Sequence, residues 1–227
     1  MPSFYKLLII FFLLIFPYPT KAHVLHYENL NSIEFDIYRN NKHIGKHIFT
    51  YERKNNQLFV KSNISFEIKK LGIVLYKYFA EGIEVFENGE LIKFNSKTDQ
   101  NGKKKFVNIV SSNTEIEING SSFKGKASKD FMLGTWWNHS LVKAKAQISA
   151  VSGRIIHQNV EFLGKEVIKI LDKEYKTLHF NFSSTDKNLK KNKRLNTDVW
   201  YDETTLNWVK ASFKKNGNWE YRLISIK

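Results

Sequence analysis

Along most of the chain, apolar and polar residues alternate one for one. Between Gln57 and Lys69, Val60, Ile64, Phe66 and Ile68 fall on one parity, and Lys61, Asn63, Ser65, Glu67 and Lys69 on the other. A side-chain period of two places such sets on opposite faces of a half-buried strand. Ile33, Phe35 and Ile37 repeat the pattern with Glu34 and Asp36 between them, and His43 to Arg53 continues it, with Gly45 marking a bulge. Leu71 to Thr98 reads as one hairpin: Ile73 to Glu87, an Asn88-Gly89 turn, then Glu90 to Thr98. Asn-Gly between such runs is a strong hairpin signal, because both central residues of a type I′ turn need positive φ. Asn101-Gly102, Asn119-Gly120 and Asn216-Gly217 predict three more turns. Strands are expected at Lys103 to Ser111, Thr114 to Ile118, Arg154 to Leu163, Val167 to Leu171, Tyr175 to Ser183, Asn196 to Asp202, Trp208 to Lys214 and Trp219 to Ile226.

The rhythm breaks between Lys129 and Ser152. Phe131 to His139 has no period of two, and Ser140 to Ser149 has room for a short helix. About a dozen strands with frequent turns predict an all-β fold. The expected form is a single antiparallel meander over 23–227, closing into a barrel or half-barrel so that its edges are managed. The aromatic loop near 129–152 then plugs or edges one mouth of the shell.

The first 22 residues follow a different pattern. Lys6 precedes an unbroken apolar run from Leu7 to Phe16, and Thr20-Lys21-Ala22 ends in small residues at the positions a signal peptidase reads. Ten apolar residues rise only about 15 Å as a helix, half of a bilayer core, so a cleaved signal peptide is expected in place of an anchor. The chain has no cysteine. It therefore has no disulfide and no lipid-bearing cysteine after the leader, and export without disulfides fits a bacterial periplasm.

Composition adds a large core and a basic surface. Hydrophobic residues make up 42% and aromatics 15%, the opposite of a disordered chain, and the formal charge is +14. The excess is mostly lysine, with arginine only at positions 39, 53, 154, 194 and 222. Lysine guards exposed strand edges, and with export it argues against a nucleic-acid partner.

Leu71-Gly72, Leu75-Tyr76, Glu84, Gly89, Leu91, Thr98 and Asn101-Gly102 form one set of marks, and Trp200-Tyr201-Asp202, Val209 and Tyr221-Arg222-Leu223 a second. In these the chain resembles an uncharacterised family of exported bacterial proteins, a domain of unknown function, over roughly Ile33 to Ile224. The resemblance implies a periplasmic β shell, like lipocalins or half-barrel lipoprotein carriers. It implies no reaction.

Candidate chemistry is sparse. Asp198 and Asp202 share a strand parity but lie about 13 Å apart at i and i+4, beyond glycosidase spacing, so Asp202 is expected to cap a turn. His43 and His47 share a face at the same separation and cannot clasp one ion. Cleavage after Ala22 would free His23, whose amine and imidazole suit copper, with His26 near; a frayed terminus with incidental histidines is the expected reading. No metal or cofactor is expected. Lys187, Lys190, Lys191, Lys193 and Arg194, joined by Lys103 to Lys105, offer charge to an anionic membrane surface, though a solvated loop needs no partner. The leading expectation is a non-enzymatic shell that binds an apolar or amphipathic ligand such as a lipid, with Trp136, Trp137, His139, Trp200 and Tyr201 at the mouth. An envelope interaction module and a hydrolase on lipid or glycan are the alternatives.

Overall fold

A computed structural model describes residues 27–190 and 193–227. The expected leader, His23, His26 and Lys191 lie outside them. Fifteen strands form: β1 (Ser32–Arg39), β2 (Lys42–Lys54), β3 (Gln57–Lys70), β4 (Ile73–Glu87), β5 (Glu90–Gln100), β6 (Lys103–Ser111), β7 (Glu115–Gly120), β8 (Lys124–Ser128), β9 (Phe131–Leu133), β10 (Ala146–Ile148), β11 (Ile155–Ile170), β12 (Lys173–Ser184), β13 (Asn196–Asp202), β14 (Trp208–Lys214) and β15 (Asn218–Ile226). They make one sheet in the order β8-β7-β6-β5-β4-β3-β2-β1-β15-β14-β13-β12-β11-β10-β9.

Two meanders thus join through the antiparallel β1–β15 pair, and only β9 and β10 run parallel. The edge strands β8 and β9 are consecutive in the chain, so the sheet is nearly closed into a barrel. The Ser149–Gly153 turn bridges the seam. Ser122 N–H donates to Ser152 C=O at 2.8 Å, and the Ser96 hydroxyl donates to Ala150 C=O at 2.6 Å.

The turn chemistry explains the connections. Asn88, Asn101 and Asn216 sit at φ 51–53° before Gly89, Gly102 and Gly217, all at positive φ. Asn119-Gly120 is different. It stays extended at the end of β7, and the chain reverses through Ser121-Ser122. A Cβ on Gly120 would lie 2.6 Å from Ser152 O, so this glycine serves close approach to the seam turn and makes no turn itself. Arg154 to Leu163 and Val167 to Leu171 are not separate strands. They belong to β11, which bends at a bulge between Phe162 and Gly164, with Gly164 at φ 132°. The bulge expected at Gly45 is present: Ile37 faces Gly45 while Tyr38 faces His43. That extra residue puts His43 and His47 on opposite faces, against the expectation that they share one. His43 meets Asp36 outside at 3.2 Å, and His47 is buried within.

The core lies inside the shell. Ile33, Phe35 and Ile37 of β1, Phe49 of β2, Val199 and Tyr201 of β13, and Trp208 of β14 are buried in one aromatic cluster. A smaller cluster of Phe94, Val107, Ile109, Ile116 and Ile118 with Leu133 and Ile148 fills the β5–β10 side. The predicted helix shrinks to a single 3-10 turn, His139–Lys143, capped by the Asn138 side chain.

Candidate ligand-binding site

The Phe131–Ser152 segment enters the barrel. Its pivot is Thr135-Trp136-Trp137, where Trp137 N–H donates to Thr135 C=O at 2.8 Å and Trp136 sits at φ 59°. A three-residue turn around a positive-φ tryptophan is of the rare, strained hand. Strain of this kind persists only where surrounding contacts over-determine it. Here Tyr201 OH donates to Trp136 C=O at 3.0 Å, and the two indoles part into separate aromatic nests. Trp137 meets Tyr27, Tyr51 and Phe86 edge-on at 5.2–5.6 Å. Trp136 meets Trp208 at 5.5 Å and Tyr221 at 5.8 Å.

A buried amide ladder holds the segment in place. Gln147 of β10 donates to Gln158 of β11 at 2.7 Å, and Gln158 donates to the carbonyls of Leu141 and Ala144 at 3.2 and 2.9 Å. Tyr27 OH accepts the His139 N–H at 2.9 Å, and burial raises its pKa to about 12.

Two cavities flank the pivot. The inner one, about 220 Å³, is floored by the small residues Ala80, Gly82, Ser96 and Ala150 and walled by Trp136 and Tyr221. His47 also lines it. The ring is buried, and neither nitrogen has a hydrogen-bond partner. Desolvation alone holds its pKa down to about 3, so the imidazole is neutral. The buried Trp136 indole N–H, in the same wall, is likewise unpartnered. The outer cleft, about 310 Å³, runs from Thr135 and Glu84 to a rim at Gly89, Glu90 and Lys129. Glu84 lies 3% exposed at its base. Trp137 Nε1–H donates to Glu84 Oε1 at 2.8 Å, and Thr135 supplies a second hydrogen bond. Desolvation outweighs both and lifts the carboxyl to about 7.

A larger concavity, about 710 Å³, lies elsewhere, as an open trough on the outer face of β2–β6. Its floor is crossed by a 2.7 Å Asn95–Asn108 bond, and the orphan buried groups are not there. Buried polar atoms without partners mark the interior as the better site.

The five residues expected at a mouth do not share one surface. Trp137, His139 and Tyr201 are in the core, where His139 meets Tyr201 edge-on at 4.8 Å. Trp136 lines the inner cavity. Trp200 points outward. It stacks on His179 at 4.1 Å under Lys210 at 4.8 Å and donates its N–H to Glu166. Asp202 caps the β13–β14 turn, accepting from Thr204 and Thr205 N–H at 3.0 and 2.8 Å. Sequence reasoning missed Glu84 and His47 as a pair of buried titratable groups. The only available signal was a charged residue on an apolar parity, Glu84 between Gly82 and Phe86.

Among the described residues no group of histidines, cysteines and carboxylates is placed to hold a metal ion, and no helix is long and apolar enough to cross a membrane.

A family model described as a domain of unknown function, DUF6134, matches residues 35–224. The chain belongs to this family. No curated protein matches it. The DUF6134 chain is similar in fold to the crystal structure of a β-barrel-like protein of another domain of unknown function, DUF1849, from Brucella abortus. That likeness has a TM-score of 0.60 over 86% of this chain and 96% of the other, at 6% identity.

Proposed function

We propose that this DUF6134 protein is a non-enzymatic β shell, working outside the cytoplasm, that holds a small amphipathic molecule inside its barrel. The reading rests on one observation: His47, neutral and with no partner on either ring nitrogen, and Trp136, whose indole N–H is also unpartnered, line the same cavity. A buried polar group left without a partner costs about 1–3 kcal/mol, so a ligand that satisfies both recovers that loss on binding. The aromatic walls supply the apolar contact that such sites commonly use. The 220 Å³ volume narrows the ligand. It equals the share of about seven waters, which suits a ring-sized molecule or a chain end and not a whole lipid.

A hydrolytic reading has less support. Glu84 is the one buried carboxyl among the described residues, and acid–base hydrolysis needs a second group within reach. Glu90 and Lys129, the other charged residues lining that cleft, pair with each other at 3.2 Å.

Native mass spectrometry of gently purified protein, with solvent extraction of the same sample, tests the proposal. The expected result is a stoichiometric small molecule that is lost from a folded His47→Leu variant. A bare protein mass, with only ordered water in the cavity of a crystal structure, would overturn it.

A further inference from the structure

The topology gathers lysines that are far apart in sequence. β1 runs toward one end of the barrel, and the β2–β3, β4–β5 and β11–β12 turns lie at the other. At β1's downstream end the chain turns through Lys42, through Lys69 and Lys70, through Lys103 to Lys105, and through Lys214 and Lys215. The Lys187–Arg194 loop, between β12 and β13, lies at this end too, with Lys187, Lys190 and Lys193 exposed. Acidic residues in these turns are few. Asp99 holds Lys104, Glu67 pairs with Lys69 at 2.9 Å and with Lys77 at 3.0 Å, and Asp186 accepts from Asn188 N–H at 2.8 Å. Lys105 records the crowding: its pKa is lowered first by partial desolvation, then by Lys215, Lys103 and Arg154. The opposite end carries Glu52, Glu87, Glu90, Glu115, Asp172 and Glu203 in its turns and is mixed in sign.

From the lysine end one hairpin projects. β2 stops pairing with β3 at Phe66, and β5 stops pairing with β4 at Tyr78. Glu67–Lys70 therefore pairs only with Ile73–Lys77, extending the ribbon by about 14 Å. Its tip is apolar: Leu71 is 93% exposed, Ile73 67% and Leu75 55%. Leu71 also sits at φ 49°, in a turn position that this chain gives to asparagine at 88, 101 and 216. An exposed leucine in a conformation that disfavours it is explained neither by turn chemistry nor by the core. Apolar residues at a tip, with lysines at its base and around it, match an anionic bilayer: side chains enter the interface while ammonium groups meet headgroups.

We infer that the lysine-ringed end of the barrel docks on anionic lipid bilayers, with the Leu71–Leu75 hairpin tip inserted into the interface. The inference is independent of any ligand in the barrel. It differs from docking by the Lys187–Arg194 loop alone, because the insertion element is the β3–β4 tip.

A second apolar tip provides the control. Leu171 is 68% exposed at φ 54° in the β11–β12 turn, but at the mixed-charge end and next to Asp172. Flotation of the protein with phosphatidylglycerol–phosphatidylethanolamine vesicles, against phosphatidylcholine vesicles, is the experiment. Binding is expected to the anionic vesicles only and to weaken as salt rises. Leu71→Asp should reduce it about tenfold, and replacing Lys103, Lys104 and Lys105 by glutamine up to about fivefold per lysine. Leu171→Asp should leave it unchanged. Matching far-ultraviolet circular dichroism of the variants excludes misfolding as the cause. Equal binding to both vesicle types, no binding to either, or an equal loss in Leu71→Asp and Leu171→Asp would overturn the inference.

Discussion

Trp137 donates its indole N–H to Glu84 across 2.8 Å in the middle of the barrel, between a fully buried tryptophan and a carboxyl 3% exposed. The pair ties the strained pivot of the inserted loop to the centre of β4. Trp137→Phe removes the donor while keeping most of the packing against Tyr27, Tyr51 and Phe86. Loss of one bond to a buried acid should destabilise the fold by about 1–3 kcal/mol. It should also lift the Glu84 carboxyl further, since that bond is a factor lowering it. Urea denaturation at several pH values checks both effects.

Glu84 and His47 give opposite pH dependences. Glu84 is raised from 4.5 to about 7 in the fold. Between those values the folded chain keeps a proton that the unfolded chain has lost, so stability falls as pH rises, by about 1.4 kcal/mol per pH unit. His47 is lowered from 6.5 to about 3. There the unfolded chain holds the extra proton, so stability rises with pH. The two windows overlap from 4.5 to 6.5, where the contributions cancel. Relative to the unaltered protein, Glu84→Gln should therefore gain stability as pH rises through the overlap, and His47→Leu should lose it. Within the overlap the double variant should run parallel to the parent. Parallel profiles for either single variant would show that its group titrates normally.

Much of the shell is legible in the sequence because one face of nearly every strand is solvated. The alternation of Val60, Ile64, Phe66 and Ile68 with lysine, asparagine and glutamate records that face directly. What escapes is whatever breaks the period of two by tertiary contact. One inserted residue at Gly45 turns His43 outward and leaves His47 inside. Gly120 follows a turn-like asparagine yet is needed as a glycine by the backbone of Ser152. The loop had aromatic residues but no period, so their sides could not be assigned. The strained Trp136 backbone, which points two adjacent indoles into different nests, has no local signature.

Gly120 gives a test of the seam. A methyl group there would sit 2.6 Å from Ser152 O and 3.0 Å from the Gly153 Cα, both backbone atoms. Gly120→Ala should therefore cost about 1–3 kcal/mol by overpacking and push the Ser149–Gly153 turn off β7. Hydrogen exchange should quicken at Ser122, whose N–H bonds Ser152 C=O at 2.8 Å, while the Asn31 and Ser32 amides at the β1–β15 junction stay protected.

Trp136 and Trp200 separate the interior from the outer surface. Both are tryptophans near the inserted loop or its neighbouring strands, and both would look alike in a scan by residue type. Trp136 lines the 220 Å³ cavity and leaves its N–H unpartnered, while Trp200 gives its own to Glu166 on the outer face. Removing the Trp136 donor as Trp136→Phe keeps an apolar wall but deletes one of the two unpartnered polar contacts. A ligand bound there should weaken by about tenfold, the worth of one buried hydrogen bond. Trp200→Phe loses a bond to a carboxylate that is 44% exposed and should alter stability by about 1 kcal/mol or less and binding not at all. Titration of p-cresol, a ring-sized molecule carrying one hydroxyl, followed by calorimetry on both variants decides the matter. Equal affinity in Trp136→Phe and the parent would move the binding site out of the inner cavity.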